Sequence, residues 1–147
     1  MAEGPLSSVM HFDLVDAVIE RTPDSIVTIK QVSASEEYLQ DHFPGFPVLP
    51  GVMMLESMVQ AARRLMGDWR LVLGEVRALK YGRFVKPGDV LRVAVSLHKR
   101  DGERLEFKGE GTVTAGGRIG PAQAPVAVSG RFVLRPVRMK TSEGGGG

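Results

Sequence analysis

The sequence predicts an α+β domain in which one long helix packs on an antiparallel sheet of about six strands. Three observations predict this class: one run of residues with strong helix propensity, several runs that alternate apolar and polar side chains, and turn-forming pairs between those runs. The 147 residues are enough for a single domain with its own core. We expect residues from about 8 to 138 to be ordered and residues 141–147, which end in four glycines, to form a flexible tail.

The first half of the chain supplies a hairpin, a loop and the helix. Residues 14–19 and 26–29 are rich in β-formers and flank a turn-forming group at residues 21–24, which predicts a hairpin. Residues 42–51 contain three prolines and two glycines, a composition that excludes a helix interior and predicts a shaped loop. Residues 52–66 are good helix formers that stop at Gly67. This helix is apolar on nearly every face, which predicts that it is enclosed.

The second half of the chain has the period of β-strands. Residues 91–97 alternate between apolar and polar side chains, and Asp101 and Gly102 supply a strong hairpin signal. The return strand continues the alternation until Gly109 and Gly111, which predict a bend or a bulge. Residues 76–84 and 126–134 complete the predicted sheet. Because the edges of such a small sheet need cover, we expect a second copy of the chain to pair with it.

The composition excludes several other classes of protein. Hydrophobic residues at 43% and charged residues at 24% match soluble globular proteins and not disordered or fibrous chains. Cysteine does not occur, which excludes disulfides, thiolate metal sites and a cysteine nucleophile, and which fits a cytoplasmic location. The longest apolar stretch is too short to cross a membrane. A formal net charge of +2 gives no support to a nucleic-acid partner.

Glu56 is the unusual residue of the predicted helix, because it lies among apolar side chains. Two explanations are open at this point. In the first, Glu56 shares a wetted stripe with Gln60 and with Arg63 or Arg64, and an i,i+4 contact holds it. In the second, its apolar surroundings favour the protonated acid, which can then deliver a proton near neutral pH.

His42 and the helix start supply the other parts of a reaction centre. His42 opens the Pro/Gly-rich loop that leads into the helix, and histidine is the natural general base at physiological pH. Pro50 and Gly51 offer no side-chain cap, so the first helical amides remain free to donate to an oxyanion. A base, an acid and oxyanion donors are the set that removes a proton beside a carbonyl and expels a β-leaving group.

Two blocks of this sequence resemble a known family. Residues 42–60, HFPGFPVLPGVMMLESMVQ, resemble the signature of the β-hydroxyacyl-acyl carrier protein dehydratases of the FabZ/FabA type, and residues 80–91, KYGRFVKPGDVL, resemble that family's basic strand and Pro-Gly-Asp turn. The glutamate at position 56 is more similar to the FabZ branch than to the FabA branch. The sequence departs from the family at Asp41, where a glycine is usual, and at Phe84, where proline is common.

The resemblance implies a hot-dog fold that dimerises, with a trimer of dimers as the further option, and a site built across the dimer interface. It implies that His42 removes the proton next to the thioester and that Glu56 of the partner chain protonates the departing 3-hydroxyl. No metal or cofactor is implied. We expect the substrate to contact the following residues: Gly51, which donates its amide, Gln60, which orients the glutamate, Phe43, Phe46 and Val52.

The implied partner is an acyl carrier protein, which is acidic and therefore needs a basic docking surface. We expect that surface to contain Arg63, Arg64, Lys80, Arg83 and Lys86. Two other functions remain open on the sequence: a hot-dog thioesterase or hydratase that acts on acyl-CoA, and a non-catalytic acyl-binding module. The long Pro/Gly signature counts against the former, and the presence of both His42 and Glu56 counts against the latter.

Overall fold

The computed structural model describes residues 13–33, 48–116 and 123–137. Its elements in chain order are β1 (Ala17–Arg21), β2 (Ser25–Gln31), α1 (Gly51–Met66), β3 (Leu71–Tyr81), β4 (Val90–Asp101), β5 (Arg104–Thr114) and β6 (Val126–Pro136). Within these ranges no helix is both long and apolar enough to cross a bilayer. The expected inventory of one long helix and six strands is confirmed.

The six strands form one antiparallel sheet in the order β1-β2-β4-β5-β6-β3. The predicted hairpins are confirmed: β1 pairs with β2, and β4 pairs with β5 through a turn at Gly102, whose φ of 65° suits glycine. The bend or bulge expected at Gly109 and Gly111 is present as a shift in the register between β5 and β6, which falls between Gly111 and Thr112. The order leaves β1 and β3 as the two edges of the sheet.

The core lies between α1 and one face of the sheet. Met58, which is fully buried, packs into a space that exists because residue 109 is glycine; a Cβ at position 109 would lie 2.6 Å from its Sδ atom. Phe107 and Phe132 stack beneath the helix with ring centroids 5.4 Å apart. The helix therefore sits in a trough of the sheet, as the α+β prediction required, with β-branched side chains of β4 completing the floor.

Two strands begin three or more positions away from the sequence-based expectation. The edge strand begins at Leu71, five positions before the predicted start, and ends at Tyr81. Its pairing with β6 slips between Leu73 and Glu75 and again between Arg77 and Lys80, and these bulges break the period-two pattern that marks a strand in sequence. Strand β1 begins at Ala17, after the predicted start at residue 14.

The prediction that α1 is enclosed holds for its second half and is wrong for its first turn. Residues from Ser57 to Ala62 are all buried. Val52 has 64% of its surface exposed, and Met53, Leu55 and Glu56 are partly exposed. The enclosing sheet thus leaves the beginning of the helix open within this chain.

Candidate active site

The start of α1 has backbone donors without partners. Pro50 is the N-cap residue and makes no side-chain capping hydrogen bond, and the first turn contains no acidic residue. The amides of Met53 and Met54 both donate to Pro50 O, at 2.9 and 3.2 Å, while those of Gly51 and Val52 meet no acceptor in the part of the chain that the structure describes. This helix end therefore presents two free N–H groups and the positive end of the helix dipole.

Tyr81, the last residue of the edge strand, packs against that helix start. A Cβ at position 51 would lie 2.8 Å from Tyr81 Cζ, so only glycine permits the ring to approach the backbone this closely. The side chain is half exposed, and its partial burial raises the pKa of the phenol above its usual value. An aromatic surface with a polar tip thus borders the free amides.

Glu56 lies on the second turn of α1, and a hydrogen bond from Gln60 holds one of its oxygens. Gln60 Nε2 donates to Glu56 Oε2 over 3.2 Å, while Gln60 Oε1 accepts from the Leu14 amide at 2.9 Å. Because the second bond requires an acceptor, it fixes which end of the amide faces the glutamate. Gln60 is buried and the Glu56 side chain is 39% exposed, so a rigid residue orients a carboxylate that solvent or substrate can reach.

A cation also approaches the same oxygen. Arg63 Nη1 lies 3.6 Å from Glu56 Oε2. Within the described ranges Glu56 Oε1 accepts no hydrogen bond, which leaves it as the available proton-transfer atom. The i,i+4 contact considered for the sequence is therefore present, and it orients a carboxylate with one free oxygen. No three His, Asp or Glu side chains of the described residues are grouped to hold a metal ion.

Three of the expected site residues, His42, Phe43 and Phe46, lie outside the described residues, as does Asp41. The chain that connects them to the helix is anchored: Leu49 N donates to Val85 O over 2.7 Å, and Val48 and Leu49 are buried. Position 48 is therefore fixed between the core and the loop after β3. Residues 48–50 therefore lead from this fixed position to the helix start that carries Gly51 and Val52.

The five expected docking residues occupy two separate places. Lys80, Arg83 and Lys86 are exposed and lie within five residues of Tyr81, which packs against the start of α1. Arg63 and Arg64 lie twelve or more residues further along the helix, about 18 Å away at 1.5 Å per residue. The Arg64 guanidinium lies over the Trp69 ring, 6.0 Å from its centroid, and the Arg63 side chain is only 19% exposed.

Lys80 also borders a groove on the face of the sheet that lies away from the helix. The groove has a volume of about 470 Å³. Lys108 and Arg131 lie on neighbouring strands of the same groove, with Glu110 as the single acidic residue in its lining. Positive charge therefore extends from the loop after β3 onto the outer sheet face.

Tyr81 was not assigned to the site from sequence, and the role expected for Arg63 was docking. Tyr81 belongs to the block of residues 80–91 that resembles the family, and the sequence gives it no role. The tertiary contact with Gly51 brings it to the helix start. Arg63 was expected at the docking surface, and the sequence also offered it, as the alternative to Arg64, on the helical stripe of Glu56, at a spacing of seven residues. That spacing was the signal available in the sequence.

The fold and this helix define a class: a hot-dog protein with a carboxylate presented from the central helix. A family model described as ApeI-like, ApeI dehydratase, matches residues 18–118. The 3-hydroxyacyl-[acyl-carrier-protein] dehydratase FabZ of Acidiphilium cryptum is 38% identical over 119 residues, which cover 71% of this chain and 70% of the relative. The FabZ of Lactobacillus helveticus is 39% identical over 106 residues, which cover 67% and 72%. The chain belongs to the ApeI-like dehydratase family, and the resemblance to FabZ-type enzymes is confirmed.

Solved structures agree on the fold. One chain of the dehydratase heterocomplex ApeI:P from Xenorhabdus doucetiae matches with a TM-score of 0.66 at 20% identity, covering 90% of this chain and 88% of that chain. A hypothetical thioesterase from Streptococcus pneumoniae, solved with coenzyme A, matches with a TM-score of 0.61 at 13% identity, covering 82% and 84%. The hot-dog architecture is thus shared with proteins of more than one activity, and the site must decide between them.

Proposed function

We propose that this protein is a dehydratase that converts a 3-hydroxyacyl thioester carried on acyl carrier protein into the trans-2-enoyl thioester and water. The observation that carries the proposal is the Glu56 carboxylate, held through Oε2 and open at Oε1, on the same helix as the uncapped amides of Gly51 and Val52. An acid and oxyanion donors on one rigid element suit an elimination beside a carbonyl. Membership of a dehydratase family supports the same reaction.

In the proposed reaction, His42 takes the proton from C2 of the acyl chain. The electron pair of that C–H bond forms the C2–C3 double bond, and the C3–O bond breaks with its pair remaining on oxygen. Glu56 gives its proton to the departing hydroxyl, which leaves as water. The Gly51 amide donates to the thioester oxygen as negative charge develops there. Transfer of the proton from the imidazolium to the Glu56 carboxylate, directly or through solvent, restores the enzyme.

The acyl chain and its carrier have separate surroundings in this proposal. Val52 and the side chains of Phe43 and Phe46 would contact the acyl chain, and Gln60 would keep Glu56 oriented. The carrier would dock on Lys80, Arg83 and Lys86, which lie beside the helix start and extend towards the basic outer groove. The acidic surface of a carrier protein complements this charge and would be attracted at low salt.

We also propose that each site is completed by a second copy of the chain. Strand β3 is an edge strand, and it exposes Leu73 and Val76. An unpaired edge with exposed apolar side chains is a surface that another strand can cover. Pairing of two copies there would let His42 of one copy act with Glu56 of the other.

The test of the reaction uses two variants and two readouts. His42→Ala and Glu56→Gln are each expected to lower the rate of enoyl formation by at least about a hundredfold, because each removes one proton-transfer group. Enoyl formation and free thiol release are followed together on 3-hydroxyacyl carrier and 3-hydroxyacyl-CoA substrates. Thiol release in place of enoyl formation would identify a thioesterase, and wild-type dehydration rates in both variants would remove the proposed mechanism.

The shared site has its own test, which is complementation between inactive variants. After His42→Ala and Glu56→Gln protomers are unfolded together and refolded, a mixed dimer has one site with both groups intact. Random pairing therefore restores about a quarter of the wild-type sites in a two-fold symmetric dimer. Each variant refolded alone is the control. No recovered activity in a mixture that sediments as dimers would show that each chain supplies both groups itself.

A further inference from the structure

The Arg63 guanidinium contacts both a backbone carbonyl group of β3 and the Glu56 carboxylate. Arg63 lies seven residues after Glu56 on α1, a spacing that turns through about two full turns and returns to almost the same face of the helix. Two residues at this spacing are about 10 Å apart along the helix axis, so the arginine must extend towards the helix start to reach the glutamate. Long helical side chains point in that direction.

The guanidinium makes two contacts at once. Its Nε atom donates to Leu71 O over 2.7 Å, and its Nη1 atom lies 3.6 Å from Glu56 Oε2. Leu71 is buried and is the first residue of β3, so its carbonyl is a fixed point. Because the guanidinium is planar and rigid, the hydrogen bond from Nε to Leu71 O also restricts the position of Nη1, the nitrogen that faces Glu56.

The oxygen that Arg63 approaches is the one that Gln60 already binds. The Gln60 hydrogen bond and the Arg63 ion pair both fall on Oε2, and Oε1 is left without a partner among the described residues. A carboxylate oxygen that accepts one hydrogen bond and lies beside one cation is restrained, and among the described residues the other oxygen has no partner. The Arg63 side chain is 19% exposed, so this pair is partly shielded from solvent and is less screened than a surface pair.

We propose that Arg63 is a positioning residue for the dehydration, which holds Glu56 so that Oε1 meets the departing hydroxyl. This inference rests on the proposed function. It replaces the docking role that the sequence suggested for Arg63, because a guanidinium bonded to Leu71 O and paired with Glu56 does not face a carrier protein. In this proposal, Leu71 at the start of β3 also supports the reaction centre, because its carbonyl group holds Arg63.

The central variant is Arg63→Met, which keeps a long apolar side chain and removes both contacts. We expect kcat to fall about tenfold to a hundredfold, the range that a small misplacement of a reacting group produces. KM should change less than about threefold, because the substrate-binding groups remain. Arg63→Lys should stay close to Arg63→Met, since a single ammonium does not reproduce the fork that bridges Leu71 O and Glu56.

The matched control is Arg92→Met. Arg92, on β4, has a side chain 14% exposed and an ion pair with Glu20 at 3.5 Å, so it resembles Arg63 in burial and in having a carboxylate partner. Its loss should change thermal stability about as much as the loss of Arg63 while kcat stays within about twofold of wild type, as expected for a distant, independent site. This comparison separates positioning from a general effect on the fold.

A double-mutant cycle with Glu56→Gln decides whether Arg63 acts through Glu56. In single-turnover reactions, Arg63→Met should cost less than about twofold when Glu56 is already glutamine, because its target is gone. An equal loss in both backgrounds, or wild-type kcat in Arg63→Met, would overturn the inference while the dehydratase proposal stands. If Arg63→Met does not fold, wild-type kcat in Arg63→Lys overturns it instead. A wild-type protein that forms no enoyl product would overturn both.

Discussion

The two ends of α1 are built in opposite ways. At the C-terminal end Gly67 adopts φ 66° and donates to Arg63 O and Arg64 O, while Arg21 Nη2 donates to Arg64 O over 2.7 Å. At the N-terminal end Pro50 provides no side-chain cap and Val52 is exposed. One end bonds its backbone groups within the chain, while the Gly51 and Val52 amides at the other end meet no acceptor among the described residues. The difference teaches that the backbone groups at one end of the helix stabilise the fold, while those at the other end are available to a ligand.

The largest expected effect is on folding and belongs to the buried half of the helix. Met58→Ala removes a fully buried side chain from the contact with Gly109 and should lower the free energy of unfolding by about 2–5 kcal/mol. Val52→Ala, at the exposed end, should change it by less than about 0.5 kcal/mol. Urea denaturation measures both. Equal losses at the two positions would mean that the halves of α1 contribute alike.

We expect a side chain at Gly67, the C-cap residue of α1, to destabilise the protein. Gly67→Ala places a Cβ where φ is 66°, and nothing lies within 4 Å of that Cβ, so the cost is backbone strain alone. We expect the free energy of unfolding to fall by about 1–2 kcal/mol with kcat/KM unchanged. A thermal melt and an initial-rate assay on the same preparation test this. A loss of activity without a loss of stability would connect the two ends.

The open end should gain stability and lose activity when it receives a negative charge. Val52→Glu puts a carboxylate beside the free amides, which should raise the free energy of unfolding by about 0.3–1 kcal/mol through the helix dipole. The same carboxylate would compete with the developing thioester oxyanion, so kcat should fall relative to Val52→Gln, which has the same shape and no charge. Matching kcat values for these two variants would argue against an oxyanion at this helix end.

The smallest effect concerns Tyr81, next to the open end. Its phenol has a pKa above the usual value of about 10, because partial burial disfavours the charged form. The unfolded chain therefore loses this proton first as pH rises. Any stability linked to Tyr81 is complete below pH of about 10 and is lost above it. The difference between the tyrosinate absorbance titrations of wild type and Tyr81→Phe isolates this group, and an apparent pKa at or below the usual value would contradict the packing on Gly51.

Much of the fold was predictable because its signals are local. Gly67 marks the end of α1, and Asp101 and Gly102 mark the turn between β4 and β5; both signals depend only on neighbouring residues. The start of β3 was not predictable in the same way. Its two register shifts destroy the alternation of side chains on which the prediction of a strand depends.

The same distinction between local and tertiary signals applies to the residues of the candidate site. The contact of Glu56 with Gln60 follows from helix geometry, and the sequence already suggested it. The choice of Arg63 over Arg64 as the ionic partner did not follow, since both lie within reach along the stripe. Tertiary contacts decide it, because the Leu71 carbonyl holds Arg63 and the Trp69 ring lies beneath Arg64. The packing of Tyr81 on Gly51 is likewise invisible before β3 is placed beside the helix.

The irregular edge strand has a consequence for behaviour in crowded solution. A straight, exposed strand offers its backbone to any other strand, and chains with such edges stack into fibrils. Strand β3 bends at two places, and Ala78 within it has a φ of 52°, so its free edge is not a straight ladder. A partner must carry matching bends to pair along its whole length. The bulges therefore disfavour pairing of this edge with an arbitrary straight strand.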